Sequence, residues 1–527
     1  MATYIGETCK KYSNKPAFTC MGHTLTFKEI DQHSTYFASY LQNSTKLQSG
    51  DRIAIQLPNI LQFPVAVFGA LKAGLVIVNT NPLYTARELK HQLNDSGAKC
   101  LLTFANFASI ASEVVEETSV EHVIVTQLAD LHPFAKRHAI NLAVKYIKKM
   151  VPHYNFKQSI NFRHALAIGK TTTFIQLPAK PGSATAMLQY TGGTTGVSKG
   201  AILSSSNVLS NVEQIHDALG NSLYGDNEVV LAPLPLYHIY AFTTHCMFAF
   251  GIGAHNILVP NPRELKSYTE IMTNYDVTCI VGINTLFNSL SNNQEFSSLD
   301  FSNLRVTVSG GMALSPDTAN RWKKITQCEV FEGYGMTEAS PVVSFNSPEQ
   351  YKANSVGKAV IHTQVKLETE SDQSSDTRQR GELLLKGPQI TQGYWNNPEA
   401  TADLFNDEGW LRTGDIATID DEGFISIVDR KKDMIIVSGF NVYPNEIEDV
   451  LTSHPNVAEA AVIGTPDSKT GEAVKAFIIL NGSPTEDAKL KEHCQDQLTG
   501  YKVPKYFEFV NELPKNNVGK VLRRMLN

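Results

Sequence analysis

The chain has 527 residues and a mass of 58.1 kDa, more than one hydrophobic core usually serves, so we expect two or more domains. Hydrophobic residues make up 42% of the sequence and charged residues 19%, which is typical of a globular protein that folds throughout. The net charge of −6 and the pI near 6.2 argue against a protein that coats nucleic acid, because such proteins carry a clustered basic excess.

Cysteine usage and hydropathy indicate a cytoplasmic protein. The seven cysteines are scattered and contain no CxxC pair, so the sequence predicts neither a disulfide framework nor a zinc site. No run of about 18 apolar residues occurs, and residues 1–18 lack the apolar centre of a signal peptide. We therefore expect neither export nor a membrane span.

Short apolar runs rich in β-branched residues recur through the first half of the chain. They lie at residues 52–58, 75–80, 122–127, 229–235, 256–260 and 279–283. Longer stretches with helical periodicity separate several of these runs. This alternation predicts α/β architecture with largely parallel sheets.

Residues 136–151 combine basic and apolar side chains at helical spacing. The apolar positions are Ile140, Val144, Ile147 and Val151, with Lys145 and Lys149 beside them. Such a helix either lies on an anionic membrane surface or packs its apolar side on the protein core. We favour the second arrangement, because it is common in globular proteins.

After about residue 381 the alternation of apolar runs and helical stretches gives way to closely spaced strand-like segments. The strand-like segments 423–429 and 433–439 are joined by Arg430, Lys431 and Lys432, and this pattern predicts a hairpin. Its charged connection is also a plausible domain boundary.

A further helix, two strands and a second helix are expected beyond that boundary. The helices begin at Pro444 and at about Asp487. We therefore predict an N-terminal domain of residues 1–429, a hinge of residues 430–432 and a small α+β C-terminal domain of residues 433–527.

The segment Tyr190–Gly200, YTGGTTGVSKG, predicts a phosphate-binding loop. Glycines let successive backbone N–H groups point inward, threonine hydroxyls add donors, and Lys199 adds a positive charge. The loop lacks the Gly-Lys-Ser/Thr ending of a Walker-type ATPase, because Lys199 follows Ser198. Strand-like residues precede and follow it, so we expect it to connect two strands.

This loop is similar to the signature loop of the adenylate-forming superfamily, which includes acyl-CoA synthetases, nonribosomal peptide adenylation domains and beetle luciferases. Further matches follow in the same order: GYGMTE (333–338), TGD (413–415), VDRKKDMIIVSGFNVYPNEIE (428–448) and PKNNVGK (514–520). The run from PLPLYHIYAFT onward most resembles bacterial long-chain fatty acyl-CoA synthetases. The resemblance implies the adenylate-forming enzyme fold, in which a small mobile C-terminal domain follows a large α/β domain.

The resemblance implies a reaction and its cosubstrates. A fatty acid and ATP would give acyl-AMP and pyrophosphate, and CoA would then give acyl-CoA and AMP, with Mg²⁺ as cofactor. The metal would be held by Thr191 and Glu338, because a hard carboxylate oxygen suits a hard cation. By the same resemblance the nucleotide is bound by Thr191, Gly192, Gly193, Thr194, Thr195, Gly196, Lys199, Gly311, Gly333, Tyr334, Gly335, Met336, Asp415 and Arg430.

The resemblance also assigns the catalytic and acyl-binding residues. Lys520 would stabilise adenylation, with Glu338 and Thr337 as the other catalytic residues. His238 would lie near the substrate carboxylate, and Phe242 would take the place of an aromatic gate to the acyl pocket. The alternative for His238 is a histidine satisfied in the core.

Two further assignments concern domain movement. Lys432 falls at the hinge of the family, and rotation about it would withdraw Lys520. The same rotation would bring Gly439 and Phe440 to the CoA channel. One departure from the family is a serine run at residues 204–206 where many relatives carry a histidine, although serines suit the cap of the next helix.

Other functions stay open at this point. The chain could be an aromatic-acid CoA ligase, a fatty acyl-AMP ligase that loads a carrier protein, or a fatty-acid-binding scaffold without turnover. The segment around His238 offers no acid to pair with an α-amino group, which argues against amino-acid activation. As partners we expect fatty acid, ATP and CoA but no nucleic acid, with a homodimer and peripheral contact at the cytoplasmic face of the inner membrane as further options.

Overall fold

The computed structural model describes residues 1–191, 198–223, 227–369, 380–438, 440–467, 469–482, 485–516 and 519–526. Its strands are β1 Pro16–Cys20, β2 His23–Thr26, β3 Arg52–Gln56, β4 Val76–Asn79, β5 Cys100–Phe104, β6 His122–Thr126, β7 Ile160–Asn161, β8 Thr185–Thr191, β9 Lys199–Ser204, β10 Val229–Ala232, β11 His255–Leu258, β12 Cys279–Gly282, β13 Val306–Gly310, β14 Val330–Gly335, β15 Val342–Phe345, β16 Lys358–Ala359, β17 Gln364–Glu368, β18 Arg380–Lys386, β19 Leu411–Ile419, β20 Ile425–Arg430, β21 Ile435–Val437, β22 Phe440–Val442, β23 Val457–Asp467, β24 Gly471–Leu480 and β25 Tyr506–Phe509.

The α-helices alternate with these strands in the first three fifths of the chain. They are α1 Ala2–Lys11, α2 Phe27–Ser44, α3 Gln62–Lys72, α4 Ala86–Ser96, α5 Ala108–Val114, α6 Phe134–Leu142, α7 Phe162–Thr171, α8 Ser205–Leu219, α9 Ile239–Ala241, α10 Leu265–Asn274, α11 Asn284–Ser291, α12 Gln294–Ser297, α13 Pro316–Thr326, α14 Pro398–Leu404, α15 Pro444–Thr452 and α16 Asp487–Gln497. Two of them continue as π-helices, α6 into Ala143–Ile147 and α9 into Phe242–Ala249.

Two large sheets carry the first part of the chain. One has the strand order β7-β6-β5-β3-β4-β8-β9, and the other β16-β15-β14-β13-β12-β10-β11-β1-β2. The central pairs of both sheets are parallel, including β3 with β4 and β12 with β13. Each of the six apolar runs became a strand (β3, β4, β6, β10, β11 and β12), so the predicted α/β architecture with largely parallel sheets is confirmed.

The phosphate-loop segment lies between paired strands, as predicted. β8 and β9 are antiparallel, and Thr191 is the Cα partner of Lys199 at the open end of the pair. The serine run begins α8: the hydroxyl of Ser204 accepts a 3.1 Å hydrogen bond from the backbone N–H of Asn207. This side-chain acceptor satisfies one of the donors exposed at the start of the helix.

The predicted hairpin after residue 423 is wrong. β20 pairs with β19 in an antiparallel sheet of order β17-β18-β19-β20. β21 instead joins a separate sheet, where it pairs with β22 and β24. A single 3₁₀ turn, Lys431–Asp433, connects the two strands. The charged segment therefore connects the β17–β20 sheet to the sheet that contains β21.

The last hundred residues have a core of their own. β21–β25 form one sheet, and α15 and α16 pack against it. Its fully buried side chains include Val442, Ile447, Leu451, Ile478 and Leu490. Because these residues cluster apart from the main core, the arrangement has the α+β form expected for this region; the exact domain and hinge boundaries stay predictions.

The basic helix is much more exposed than we predicted. α6 and its π-helical continuation bury Val144 but no residue of α6 itself. Large apolar side chains on this segment face solvent, with exposed fractions of 72% for Phe134, 55% for Leu142 and 80% for Ile147. Of the four apolar positions of the prediction, Val144 is buried, Ile140 is half-buried and Val151 packs against a small apolar cluster, so the apolar side is only partly covered. Within the described ranges, no helix is both long and apolar enough to cross a membrane.

Candidate active site

A cavity of about 870 Å³, counting space open to solvent, lies at the carboxyl ends of β13 and β14. We call it the main cavity. One end is apolar and is lined by Ile215, Leu219, Val230, Val281, Val308 and Phe248. The other end is formed by backbone and small residues, namely Gly310, Gly311, Gly333, Tyr334, Gly335, Met336 and Thr337. Ligands of open α/β sheets bind at this edge, where the parallel strands end.

Glycines make the narrow end of the main cavity possible. A Cβ on Gly335 would stand 2.2 Å from the carbonyl oxygen of Pro341, a contact that backbone cannot relieve. A Cβ on Gly310 would lie 3.2 Å from the ring of Tyr240. Gly311 has φ +79°, in the left-handed region that favours glycine. The backbone is thereby close to any flat group held at this end.

Tyr334, Asp415 and Arg430 form a connected polar group beside this glycine-rich end. The hydroxyl of Tyr334 donates a hydrogen bond to Oδ2 of Asp415, and Nε of Arg430 lies 2.7 Å from Oδ1. The pairing of β19 with β20 places Asp415 directly opposite Arg430. Burial, with a smaller effect of the Asp415 charge, raises the pKa of Tyr334 well above its usual range. The tyrosine therefore stays a neutral donor.

Lys520 reaches the same group from the C-terminal part of the chain. Burial, helped by the charge of Arg430 and opposed by that of Asp415, lowers the pKa of its ammonium to about 8. The adjoining Gly519 has φ +79°, and a Cβ there would lie 3.0 Å from Oγ1 of Thr285. The segment bearing Lys520 is thus seated against the start of α11 in the large domain. Lys432 is also near Arg430, and burial lowers the pKa of its ammonium.

His238 lines the main cavity between its apolar and polar ends. Burial lowers the pKa of the imidazole to about 4, so the ring is neutral near pH 7. Nδ1 accepts a 3.3 Å hydrogen bond from the backbone N–H of Tyr240. The proton of the neutral ring therefore resides on Nε2, which is free to donate toward a ligand.

Glu338 and Lys199 meet at a third residue, Tyr394. The hydroxyl of Tyr394 donates a 2.6 Å hydrogen bond to Oε1 of Glu338, whose side chain is buried. The ammonium of Lys199 lies 5.3 Å from the centre of the Tyr394 ring, within the range of a cation–π contact. Thr191 pairs with Lys199 across β8 and β9. A carboxylate, an ammonium and a threonine thus stand around the opening of the phosphate-loop segment.

Some predicted residues do not meet in this region. Phe242 is completely buried in the main core and does not belong to the cavity lining, so its role as a gate stays a prediction. Phe440 is 56% exposed and stacks on Tyr501 with ring centres 4.8 Å apart. Six predicted positions lie outside the described residues: Gly192, Gly193, Thr194, Thr195, Gly196 and Gly439.

Two tyrosines of the site were not predicted. Tyr394 is 56 positions from Glu338, and no motif spacing connects them. Tyr240 lines the main cavity, and its buried hydroxyl has no hydrogen-bond partner among the residues with assigned positions. A buried donor without a partner is rare in folded proteins. Its position in the segment PLYHIY beside His238 was the only available signal.

Known proteins are similar to this chain in sequence and fold along nearly its full length. The models of the AMP-binding enzyme and of the AMP-binding enzyme C-terminal domain match residues 5–395 and 446–520. A long-chain-fatty-acid–CoA ligase of Escherichia coli O6:H1 is 48% identical over 521 residues, covering 99% of this chain and 92% of the relative. A ligase of the same name from Bacillus subtilis strain 168 is 35% identical over 532 residues, covering 100% and 94%. The structure of ATP-bound MatB from Rhodopseudomonas palustris has a TM-score of 0.84 at 26% identity, covering 100% and 98%. Family models, sequence relatives and a solved structure all match this chain over most of its length, and the chain therefore belongs to the family of AMP-binding enzymes.

Proposed function

We propose that this chain is an AMP-forming long-chain fatty acid–CoA ligase. The main cavity supports this function best, because it joins an apolar end to a glycine-rich polar end with His238 between them. An alkyl chain fits the first and a nucleotide the second, so the carboxylate and the α-phosphate would meet at the histidine. Ligases named for long-chain fatty acids are 48% and 35% identical to this chain over nearly its full length, which supports the same substrate class.

The reaction has two steps. A carboxylate oxygen of the fatty acid attacks the α-phosphorus of ATP, and pyrophosphate leaves with the electron pair of the broken P–O bond. The sulfur of CoA then attacks the acyl carbon of acyl-AMP, AMP leaves, and the thiol proton passes to solvent. Negative charge develops at both phosphoryl positions in the first step, so fixed cations there lower the barrier.

The positions of the basic side chains fit the first step. Lys520 is held near Arg430 and Asp415, and Lys199 lies at the opening of the phosphate-loop segment. In this arrangement Lys520 meets the transferring phosphate, while Arg430 and Asp415 contact the nucleotide. The Nε2–H of His238 and the unpartnered hydroxyl of Tyr240 are donors for the substrate oxygens.

The residues at Glu338 fit a Mg²⁺ ion that is bound mainly through ATP. Oε1 of Glu338 accepts from Tyr394, which leaves Oε2 for a cation. The described parts of the chain contain no group of three or more His, Cys, Asp or Glu side chains that could hold a metal alone. Mg²⁺ is often held by one carboxylate together with phosphates and water, so Glu338 with Thr191 suffices. When bound, the ion would neutralise charge on the phosphates.

In the second step the thiol of CoA must reach the acyl carbon from another direction than the one that Lys520 occupies in the first step. Lys520 lies near Arg430 and Asp415 in the present arrangement, whereas Phe440 stands exposed on the C-terminal sheet. Rotation about residues 430–432 would withdraw the lysine and turn the segment with Gly439 and Phe440 toward the cavity as a CoA channel. The single 3₁₀ turn between β20 and β21 suits a hinge, because few interactions must change there.

The deciding experiment measures AMP and thioester formation with acids from C4 to C18 and with coumarate, each with and without CoA. We expect AMP and acyl-CoA from long chains only when CoA is present. A preference for coumarate would favour an aromatic-acid CoA ligase, and acyl-AMP that accumulates regardless of CoA would favour a ligase that loads a carrier protein. Release of ADP instead of AMP would contradict adenylate chemistry, and ATP binding without turnover would favour a scaffold.

We also propose that residues 134–150 contact membrane lipid at the cytoplasmic face. Five basic residues and no acidic residue lie between positions 134 and 150. Among them stand the exposed side chains of Phe134, Leu142, Tyr146, Ile147 and Met150. A basic segment with exposed apolar side chains binds an anionic lipid surface by charge attraction and by shallow burial of those side chains. This surface would bring the enzyme to its lipid substrate.

A further inference from the structure

A second cavity adjoins the main cavity at α8. It measures about 980 Å³, again counting space open to solvent, and we call it the outer cavity. Its lining includes Tyr4 of α1 and Tyr12, which directly follows α1. Leu209 and Val212 of α8 and Ile252, which follows the π-helix, also line it. These side chains give the outer cavity a largely apolar floor.

Phe248 separates the two cavities. Among the described residues that line them, it is the one that belongs to both linings. The neighbouring side chains are divided: Ile215 and Leu219 of α8 face the main cavity, whereas Leu209 and Val212 face the outer one. Phe248 is only 4% exposed, and the π-helix that carries it packs against α8.

The outer cavity is formed by fixed packing of α1. The hydroxyl of Tyr4 donates a 3.2 Å hydrogen bond to the carbonyl oxygen of Met247, next to Phe248. A Cβ on Gly251 would stand 1.6 Å from the same hydroxyl, so only glycine allows this contact. α1 is therefore held against the end of the π-helix and forms one wall of the outer cavity on the far side of Phe248.

We propose that Phe248 limits the length of the acyl chain and that the outer cavity receives the methyl end of chains that pass it. This inference rests on the proposed function. The apolar end of the main cavity stops at the Phe248 ring, and apolar side chains continue beyond it. Each additional methylene buried there would gain about fourfold in affinity. The exposed rim residues Lys11, Glu213 and His216 mark where the outer cavity meets water.

The test compares kcat/KM for C8, C12, C16 and C18 acids in wild type, Phe248→Leu and Phe248→Ala. We expect both substitutions to raise the C18:C8 ratio, by tenfold or more for Phe248→Ala. Phe248→Leu guards against loss of folding in the alanine variant, because it keeps more of the buried volume. A ratio that stays within twofold of wild type in a folded Phe248 variant would overturn the proposal.

Two control variants separate a passage from general loosening of the core. Leu209→Trp fills the outer cavity and should cancel the gain for C18 when it is combined with Phe248→Leu. Phe250→Leu alters a fully buried ring that packs on Phe27 and belongs to neither lining, so the C18:C8 ratio should not change. An equal rise with Phe250→Leu would refute a specific role of Phe248.

A binding measurement distinguishes failure of this inference from failure of the proposed function. Non-hydrolysable acylsulfamoyl adenosines with C8 to C18 chains are titrated calorimetrically against the same variants. One outcome is that wild type activates no fatty acid while Phe248→Leu still shifts the highest affinity to analogues with longer chains. In that case the proposed function fails and the chain-length limit stands. If fatty acids are activated and neither rates nor affinities respond to Phe248, the limit fails and the function stands.

Discussion

The hydroxyl of Tyr394 donates a 2.6 Å hydrogen bond to Oε1 of Glu338, and its ring also lies 5.3 Å from the ammonium of Lys199. One side chain thus fixes the carboxylate that we assign to the metal and contacts the cation that we assign to the phosphates. Burial, reinforced by the Glu338 charge, raises the pKa of Tyr394 far above its usual range, so its hydroxyl keeps its proton. Tyr394 is therefore a positioning residue for both groups.

Tyr394→Phe should weaken the use of Mg²⁺ while preserving the ring under Lys199. Residues that orient metal ligands typically change metal affinity by about 10- to 100-fold. We expect the Mg²⁺ concentration for half-maximal acyl-AMP formation to rise about tenfold, and calorimetric binding of Mg·ATP to weaken in parallel. Tyr268→Phe removes a buried tyrosine hydroxyl bond remote from the cavity, and it should leave both quantities unchanged. An unaltered Mg²⁺ titration in Tyr394→Phe would disprove the positioning role.

Gly335→Ala should disable the nucleotide end of the main cavity. The new Cβ would meet the Pro341 carbonyl oxygen at 2.2 Å, so the backbone of β14 must shift. Overpacking of this kind costs about 1–3 kcal/mol in the free energy of unfolding. We expect a lower melting temperature and at least a 100-fold loss in kcat/KM for ATP. Gly6→Ala, at a helical position with open space around its Cβ, should change neither by a comparable amount.

Lys520→Ala should separate the two half-reactions. Its ammonium lies with Arg430 and Asp415 on the nucleotide side, where it can act on the transferring phosphate but not on the thiol of CoA. Formation of acyl-AMP from acid and ATP should therefore be lost, while acyl-AMP supplied directly should still react with CoA. Both rates are measured by quenched-flow chromatography. Equal loss of the two steps would refute this division of labour.

The lowered pKa of Lys520 predicts a pH dependence for the first step. The active form is protonated; it is fully present below pH 7 and is lost as the pH rises through about 8. Because kcat/KM reports ionisations of the free enzyme, kcat/KM for ATP should fall about tenfold per pH unit above 8. The thioester step from supplied acyl-AMP should not follow this curve.

Lys520→Arg provides the control for the pH profile. A guanidinium stays charged throughout the range, so the variant should show no fall between pH 8 and 10 whatever its absolute rate. A fall at the same pH in Lys520→Arg would assign the titration to another group.

The sequence predicted the strands well, because strands of buried parallel sheets appear as short continuous apolar runs. The same information did not say which sheet a strand joins. β20 and β21 read as a hairpin, yet β20 follows the register that places Arg430 opposite Asp415. Contacts across large separations were equally invisible: Glu338 was predicted from its motif, whereas its partner Tyr394 became apparent only from the 2.6 Å contact. The motifs identify the residues that we assign to ligands, and the fold reveals those that orient them.

The partial exposure of residues 136–151 was not predicted for a related reason. Helical periodicity locates an apolar side but does not say whether anything in the chain covers it. Asn141 fixes the segment to the large domain by accepting a 3.0 Å hydrogen bond from the backbone of Ala129. The segment is thus anchored while Ile147 remains 80% exposed.

Removing the exposed apolar and basic side chains of this segment should release the enzyme from anionic lipid. Ile147→Ser should reduce cosedimentation with phosphatidylglycerol vesicles at least tenfold, because it removes an apolar side chain that would be buried in the lipid surface. Replacement of Lys145, Lys148 and Lys149 by Glu should separately reduce it at least tenfold, because each basic residue near the surface contributes about 1 kcal/mol. Neither change should alter kcat on detergent-dispersed palmitate, since these positions are remote from the main cavity lining. Ile175→Ser, at a position 56% exposed elsewhere on the surface, is the matched control. Binding that persists in the variants, or that is as strong on phosphatidylcholine vesicles, would show that this segment is not the lipid contact.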